Sequence, residues 1–364
     1  MSPRSYRTAI VGTGGIATAH AEAVRASGGR ARLVATADVD LDRAKAFAET
    51  WDAPRAYASL EELLAEEQVD LVCLCTPPEQ HAPLAARCLE AGVTALVEKP
   101  PTLSLAEFAE LREAESRSTA HVATVFQHRF GPAAVRLRRL VAAGELGRPL
   151  LATCVTQWYR DEAYFAAPWR GTWEKEGGGP TMGHGIHQFD LLLSVLGPWE
   201  EVTALAARQA RATDTEDVSM ALVRFENGAL ASVVNSVISP RQTSELRFDF
   251  ERATVEVAHL YGYTDEDWTL TPAPGHEEIA WTPGPVTAPS GHGDQLAAVL
   301  DALDQGEPPP VTLQDAERTM EFIAALYASA FTGERIKAGQ ISPASPFWRR
   351  MDGSGTPWDK AGAR

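Results

Sequence analysis

The sequence predicts two domains of different class: a doubly wound α/β unit first, then an α+β unit built on a large, mostly antiparallel open sheet. Three observations carry this reading. Through the first third, short apolar runs alternate with helical stretches of about ten residues. Those runs are continuously apolar rather than alternating, as expected when helices cover both faces of a parallel sheet. After Phe126 the rhythm changes, and residues 202–281 hold several strand-like runs separated by turn signals. A chain of 364 residues has material for two such cores.

Taken in order, residues 6–12 are apolar and β-branched, and 16–26 are Ala-rich with helical spacing. A strand at 31–38 precedes a helix at 41–51, and a strand at 69–76 precedes a helix at 81–91. A short strand at 94–97, a helix at 105–116 and a strand at 120–126 complete the first unit. Then come a helix at 133–143 stopped by Gly144, a strand at 150–158, a Trp- and Gly-rich stretch, and a helix at 185–196. Glu226-Asn227-Gly228 marks a hairpin inside the strand-rich region. Late helices at 293–304 and 313–331 flank Pro308-Pro309-Pro310. The expected domains are therefore 1–126 and 127–340, with the late helices free to pack back on the first, and an extended tail at 341–364.

Composition narrows the function classes. With 33 Lys+Arg against 49 Asp+Glu, the formal charge of −16 repels phosphate backbones and anionic lipid, so no nucleic-acid or membrane partner is expected. No apolar run approaches the ~20 residues that span a bilayer. Residues 1–7 lead into a strand rather than the apolar core of a signal peptide. Cys73, Cys75, Cys88 and Cys154 lack zinc spacing and read as buried thiols of a reducing, cytoplasmic compartment. His184 and His187 have helical spacing without a plausible third ligand nearby, so no metal is expected, and no G-x-S-x-G elbow marks a serine nucleophile.

Between the first strand and the first helix stands Gly12-Thr13-Gly14-Gly15-Ile16-Ala17, which fits G-x-G-x-x-G/A. Gly12 suits the tight turn, Gly14 leaves the backbone open to a pyrophosphate, and Ala17 lets the helix pack closely on the sheet. The helix N-terminus offers free N–H groups and a positive dipole to phosphate. Asp38, ending the second strand, is placed to accept from ribose hydroxyls and would repel a 2′-phosphate. NAD is therefore the expected cofactor, with NADP kept open by Arg43 a few residues on.

Four stretches together resemble the Gfo/Idh/MocA family (glucose-fructose oxidoreductase, inositol dehydrogenase and rhizopine catabolism proteins). They are Gly12–Ala17, then Cys75-Thr76-Pro77-Pro78, then Glu98-Lys99-Pro100, and finally Gly177-Gly178-Gly179 followed by Gly185-Ile186-His187 and Asp190. The resemblance covers about the first 200 residues and more loosely the remainder. It implies an NAD(P)-dependent oxidoreductase acting on a CH–OH group of a sugar, cyclitol or glycoside. Lys99, at the carboxyl edge of a parallel sheet, would steady an oxyanion. His187 would exchange a proton with the substrate hydroxyl, a role that imidazole suits near neutral pH. By the same analogy Glu98, Thr76, Pro77 and His81 lie beside the cofactor, and Gln127 and Arg129 near substrate.

Asp190, three residues after His187, shares its helix face and reads as a support. Trp158, Tyr159, Arg160, Trp169, Arg170 and Trp173 form an aromatic-basic stretch. Indole faces suit the C–H faces of sugars and guanidinium suits hydroxyls or a carboxylate, so Trp158, Arg160 and Trp173 join the substrate-binding candidates with His184. The chain departs from the family pattern at Gly183, where many relatives carry aspartate; either His187 works with Lys99 alone, or His184 or another group supplies the carboxylate's role. Two other outcomes stay open here, a relative that holds NAD and cleaves a glycosidic bond by transient oxidation, and a dinucleotide sensor without turnover. The open sheet offers a ready association surface, and the resemblance implies a homodimer or homotetramer.

Overall fold

The computed structural model describes residues 5–279, 281 and 289–358. In chain order the elements begin β1 (Tyr6–Val11), α1 (Ala17–Ala26), β2 (Ala31–Ala37), α2 (Leu41–Thr50), β3 (Arg55–Tyr57), α3 (Leu60–Glu66) and β4 (Leu71–Leu74). They continue with α4 (His81–Glu90), β5 (Thr94–Val97), α5 (Leu105–Ser116), β6 (Val122–Thr124), α6 (Pro132–Ala142) and β7 (Pro149–Tyr159). Next come α7 (Glu162–Phe165), α8 (Ile186–Leu196), β8 (Trp199–Ala207), β9 (Val218–Phe225), β10 (Leu230–Ser236) and β11 (Ile238–Phe250). Last are β12 (Ala253–Ala258), β13 (Trp268–Pro272), α9 (His292–Gln305), α10 (Leu313–Thr332), β14 (Ile336–Lys337) and α11 (Pro346–Arg349). The chain divides into two compact units. The first comprises the described residues of Met1–Thr102, Glu107–Val125 and His292–Ala316; the second comprises those of Leu103–Ala106, Phe126–Gly291 and Glu317–Arg364.

The first unit holds a six-stranded sheet in the order β3-β2-β1-β4-β5-β6, every pair parallel. The order reverses between β1 and β4, and the crevice at the carboxyl ends of those strands is where this topology binds ligands. Ile10, Leu71, Cys73 and Leu96 from the sheet pack with Ala17, Ala21 and Val24 of α1 and with Leu296, Val299 and Leu300 of α9. Burying each large aliphatic chain stabilises by ~1.5–3 kcal/mol, while the alanines let α1 approach the sheet closely. The late helix α9 thus belongs to this unit, held further by Tyr6 Oη donating to Asp304 (2.8 Å) and Arg30 to the same carboxylate (2.9 Å).

The sequence reading contained neither β3 nor α3, and the structure adds both. β3 is a three-residue edge strand, too short to show periodicity. The start of α3 was legible: Ser59 accepts from the Glu62 N–H, while the Glu62 carboxylate reaches back to the Ala58 N–H, a variant of the capping box.

The second unit holds an eight-stranded sheet in the order β13-β12-β11-β7-β10-β9-β8-β14. Its β7–β10 pair is parallel and its other pairs antiparallel. Helix α8 is buried almost all round, which explains its run of leucines; Phe189 meets Phe322 of α10 edge-on at 5.3 Å. β9 and β10 form the hairpin at Glu226-Asn227-Gly228. The other face of this sheet leaves Leu205 73% and Leu222 68% exposed, with Met220, Leu230 and Leu151 beside them in the ladder. The residues expected as an extended tail instead include α11, and Phe347 and Trp358 both pack on Phe331; residues 359–364 of that tail lie outside the described residues. Among the described residues no helix is long and apolar enough to cross a membrane.

Candidate active site

In the first unit, the loop between β1 and α1 is built around Gly12. Its φ is +85°, and a Cβ there would lie 2.7 Å from the Thr76 amide nitrogen, so the backbone of the turn after β4 excludes any side chain. Gly14 differs, because a Cβ there would meet nothing within 4 Å. Protein packing therefore does not demand its glycine, and the open space fits a pyrophosphate cradled by Gly14, Gly15 and Ile16 at the start of α1. The Thr13 N–H and hydroxyl both donate to Asp38 Oδ2 (2.8 and 2.9 Å), fixing the loop to the end of β2. Arg43 adds a forked contact, Nη2 to Oδ1 at 2.6 Å and Nε to Oδ2 at 3.1 Å. Burial pushes the Asp38 pKa up, but the bonds from Arg43, Thr13 and the Asp40 N–H outweigh it and hold the group below its ordinary value. Asp38 is thus a carboxylate, and Arg43 is partnered with it.

At the carboxyl end of β5, the Glu98 side chain turns inward and Lys99 follows, its peptide bond to Pro100 cis. Glu98 Oε1 receives both His20 Nε2 and His292 Nε2 at 2.9 Å. Burial alone would raise the Glu98 pKa; the two imidazoles reverse this and keep it well below the carboxylate range. Burial lowers that of His20, which makes it a neutral donor. These three residues come from distant segments, and their ligand-type atoms lie within 4.8 Å of one another, a grouping the sequence reading missed when it expected no metal cluster. The hydrogen bonds on one oxygen satisfy it as a strut beneath Lys99. His81 spans the carbonyls of Pro100 (2.6 Å) and Thr76 (2.8 Å) and so ties the Thr76-Pro77 turn to the segment after Lys99.

In the second unit, α8 is preceded by a π-turn, residues Thr181–Gly185, that carries His184, and His187 lies in the first turn of α8. Single π-turns recur at functional sites because they re-aim side chains without ending the helix. His187 packs against His128 (centroids 5.3 Å) and Tyr261 (5.6 Å). His184 packs against Trp158 (5.0 Å) and takes contacts at Nε2 from Arg160 Nε and Tyr164 Oη, both 3.3 Å. Along β7 the buried side chains of Cys154, Thr156 and Trp158 alternate with more exposed neighbours, and Arg160 continues that inward row, stacked 4.7 Å over Trp158.

Other candidates have partners within the second unit. Arg129 forks onto the buried Asp190 with both contacts at 2.5 Å, so these two neutralise each other and lock α8 to the 127–130 turn. Gln127 donates to the Tyr261 hydroxyl. Trp173 donates to the Asp214 carbonyl (2.9 Å) and packs on Tyr327 and Phe331, apart from the His184 contacts just described. Lys99 and His187 belong to different units.

Two acids went unnoticed in the sequence. Glu216, just before β9, is buried and accepts from the Gly179 N–H (3.1 Å), the Thr181 N–H (3.1 Å) and the Tyr327 hydroxyl (2.9 Å). A Cβ at Gly178 would run into the Tyr327 hydroxyl, and one at Gly179 into the Glu216 carbonyl oxygen. Burial pushes the Glu216 pKa up to about 7 despite the bonds from Thr181 and Tyr327. Glu176, buried in the turn before the glycine run, accepts from the Gly171 N–H at 2.6 Å and from Arg170 Nη1 at 3.3 Å. Each stands among other charged or polar residues, Glu216 in Thr213-Asp214-Thr215-Glu216-Asp217 and Glu176 after Glu174-Lys175, so no sequence signal set either apart.

Both units match known proteins. Residues 6–126 match an oxidoreductase family with an NAD-binding Rossmann fold, and residues 134–256 match the Gfo/Idh/MocA C-terminal domain. The chain is 27% identical over 365 residues to D-glucoside 3-dehydrogenase of Escherichia coli, covering 93% of this chain and 99% of that protein. It is 31% identical over 239 residues to inositol 2-dehydrogenase 4 of Saccharopolyspora erythraea, covering 64% of this chain and 67% of that one. The crystal structure of the WlbA dehydrogenase from Bordetella pertussis, in complex with NADH and UDP-GlcNAcA, matches with a TM-score of 0.82 at 27% identity, covering 92% of this chain and 99% of that one. A Rossmann unit with its Gly12–Ala17 loop and a C-terminal unit of the matching type follow one another along the chain, which therefore belongs to the Gfo/Idh/MocA family of NAD-binding oxidoreductases.

Proposed function

We propose that this enzyme transfers a hydride between NAD and a carbinol carbon of a sugar, cyclitol or glycoside. One observation carries the substrate class: His187 and His184 are set among aromatic faces, Tyr261, His128 and Trp158, with the Arg160 guanidinium stacked beside them. Such a wall suits the C–H faces and hydroxyls of a polyol. The glucoside and inositol dehydrogenases among the relatives support the same class.

Bound NAD supplies the hydride acceptor; the chain supplies binding, orientation and proton transfer. Gly14 and the start of α1 hold the pyrophosphate, and the Asp38 carboxylate receives ribose hydroxyls and disfavours NADP. Lys99 steadies negative charge on the reacting oxygen, and His187 takes the hydroxyl proton. Glu98, bonded to His20 and His292, fixes the backbone from which Lys99 projects. The exposed Leu205, Leu222 and Met220 face is a surface for self-association into a dimer or tetramer.

The test is a panel of sugars, inositols and glycosides assayed for NAD and NADP reduction, followed by Lys99→Ala. That variant should lose ~10²-fold or more in kcat while binding NAD with nearly unchanged affinity. Unchanged turnover would remove Lys99 from the mechanism, and a panel without any NAD reduction would remove the function.

A further inference from the structure

Gly183 precedes His187 by four residues, at the position where the family resemblance leads one to expect an acid. A Cβ built at Gly183 would lie 3.4 Å from Glu176 Oε1. A side chain at 183 would thus start in van der Waals contact with the Glu176 carboxylate. An aspartate at 183 would put two anions into one buried volume, which explains the glycine. Glu176 is only 5% exposed and is aimed, not loose: the Gly171 N–H holds Oε2, and Arg170 Nη1 holds Oε1. The same Arg170 nitrogen bonds the Tyr164 hydroxyl, which lies 3.3 Å from His184 Nε2. A continuous polar chain therefore runs from Glu176 through Arg170 and Tyr164 to the histidine-bearing turn.

We propose that Glu176 is the carboxylate of this site, a positioning residue that delivers from the 171–176 turn the negative charge an acid at 183 would have delivered from the helix. Its anion favours the protonated form of the imidazole that receives the hydroxyl proton, and its tether through Arg170 and Tyr164 orients His184. Among the groups facing the histidine pair are Arg160, Tyr164, His128 and Tyr261, with Arg170 behind Tyr164. Two of these are guanidinium groups, whose charge opposes imidazolium formation and which the Glu176 carboxylate offsets.

The inference rests on the proposed dehydrogenase function for its kinetic arm only. In protein carrying 13C-labelled histidine, NMR titration of Glu176→Gln should move the His184 and His187 midpoints about one pH unit lower, and adding Gly183→Asp should restore them. Kinetically, E176Q should lower kcat ~10-fold or more, and E176Q/G183D should regain most of that loss. A merely structural Glu176, needed for Gly171 and Arg170, gains nothing from an acid at 183, so loss without rescue overturns the proposal; so do unmoved titration midpoints. Should E176Q fail to fold, G183D is compared with G183A in the otherwise unchanged protein. Crowded carboxylates should make G183D the slower of the two and shift its pH profile, and equal behaviour overturns the proposal. If wild type oxidises no sugar, the function reading fails, while the NMR titration still decides on Glu176.

Discussion

Replacing Glu216 with glutamine should change how stability depends on pH, in a direction and by an amount the structure sets. Burial holds the Glu216 carboxyl at a pKa of about 7, against an ordinary value of 4.5. Between those two values the folded chain keeps a proton that the unfolded chain has released, so stability falls as pH rises. The favourable contribution is complete below the unfolded value and is lost as pH climbs through the folded one. Each pH unit in that window is worth about 1.4 kcal/mol, which makes the loss from pH 5 to pH 8 about 2.5 kcal/mol. Glutamine has the same shape and no titration, so the variant lacks this slope. Its amide nitrogen also meets the N–H of Gly179 or Thr181 where an oxygen had accepted, a roughly constant penalty of ~1–3 kcal/mol that does not depend on pH. Urea unfolding of both proteins at pH 5, 6, 7 and 8 reads the difference directly. The wild-type advantage should shrink by about 2.5 kcal/mol across that range. An advantage that stays flat or grows with pH would refute the reasoning, since it would mean that the buried group folds as a carboxylate held by its donors.

Gly12 and Gly14 should separate under substitution. Gly12→Ala forces φ +85° and a 2.7 Å approach to the Thr76 amide, so a melting curve should show a clear loss of Tm. Gly14→Ala meets no protein atom within 4 Å, so it should keep its Tm and lose NAD affinity in a fluorescence titration. Asp190→Asn removes the carboxylate charge on which the half-buried Arg129 guanidinium forks; unfolding should report a loss of ~3 kcal/mol. Asp38→Ala frees Arg43 and removes the anion that opposes a 2′-phosphate, so the ratio of kcat/KM for NADP over NAD should rise at least ~10-fold.

The first unit was legible because its strands are buried on both faces and write themselves as unbroken apolar runs, and because the loop after β1 carries a pattern with one physical meaning. β3 escaped for the opposite reason: an edge strand of three residues with an exposed Arg55 gives no pattern to read. The α8 helix was visible in its spacing, but the π-turn before it was not, since the extra residue is stabilised by tertiary partners, among them Ser219, whose hydroxyl lies 2.7 Å from Thr181 Oγ1. Lys99 and His187 could be named from motifs. The residues that hold them could not, because Glu98 meets His20 and His292 across 78 and 194 positions of sequence, and no local pattern encodes that distance.

The glycine run at 177–179 shows how a motif can be read correctly as a landmark and still carry a different physical content. From sequence it is part of a Trp- and Gly-rich stretch before a helix and one of the stretches that carry the family resemblance. In the structure two of its members are fixed by atoms far along the chain, Gly178 by the Tyr327 hydroxyl and Gly179 by the Glu216 backbone, while the Glu216 carboxyl group ties down the amides of Gly179 and Thr181. The run is therefore a close-packed seat on which the π-turn rests, and its stiffness sets where His184 and His187 point. Gly14, by contrast, leaves open space where its Cβ would be, which fits a loop that admits a pyrophosphate. Filled space at Gly12, Gly178 and Gly179 and open space at Gly14 thus mark different demands on the same residue type.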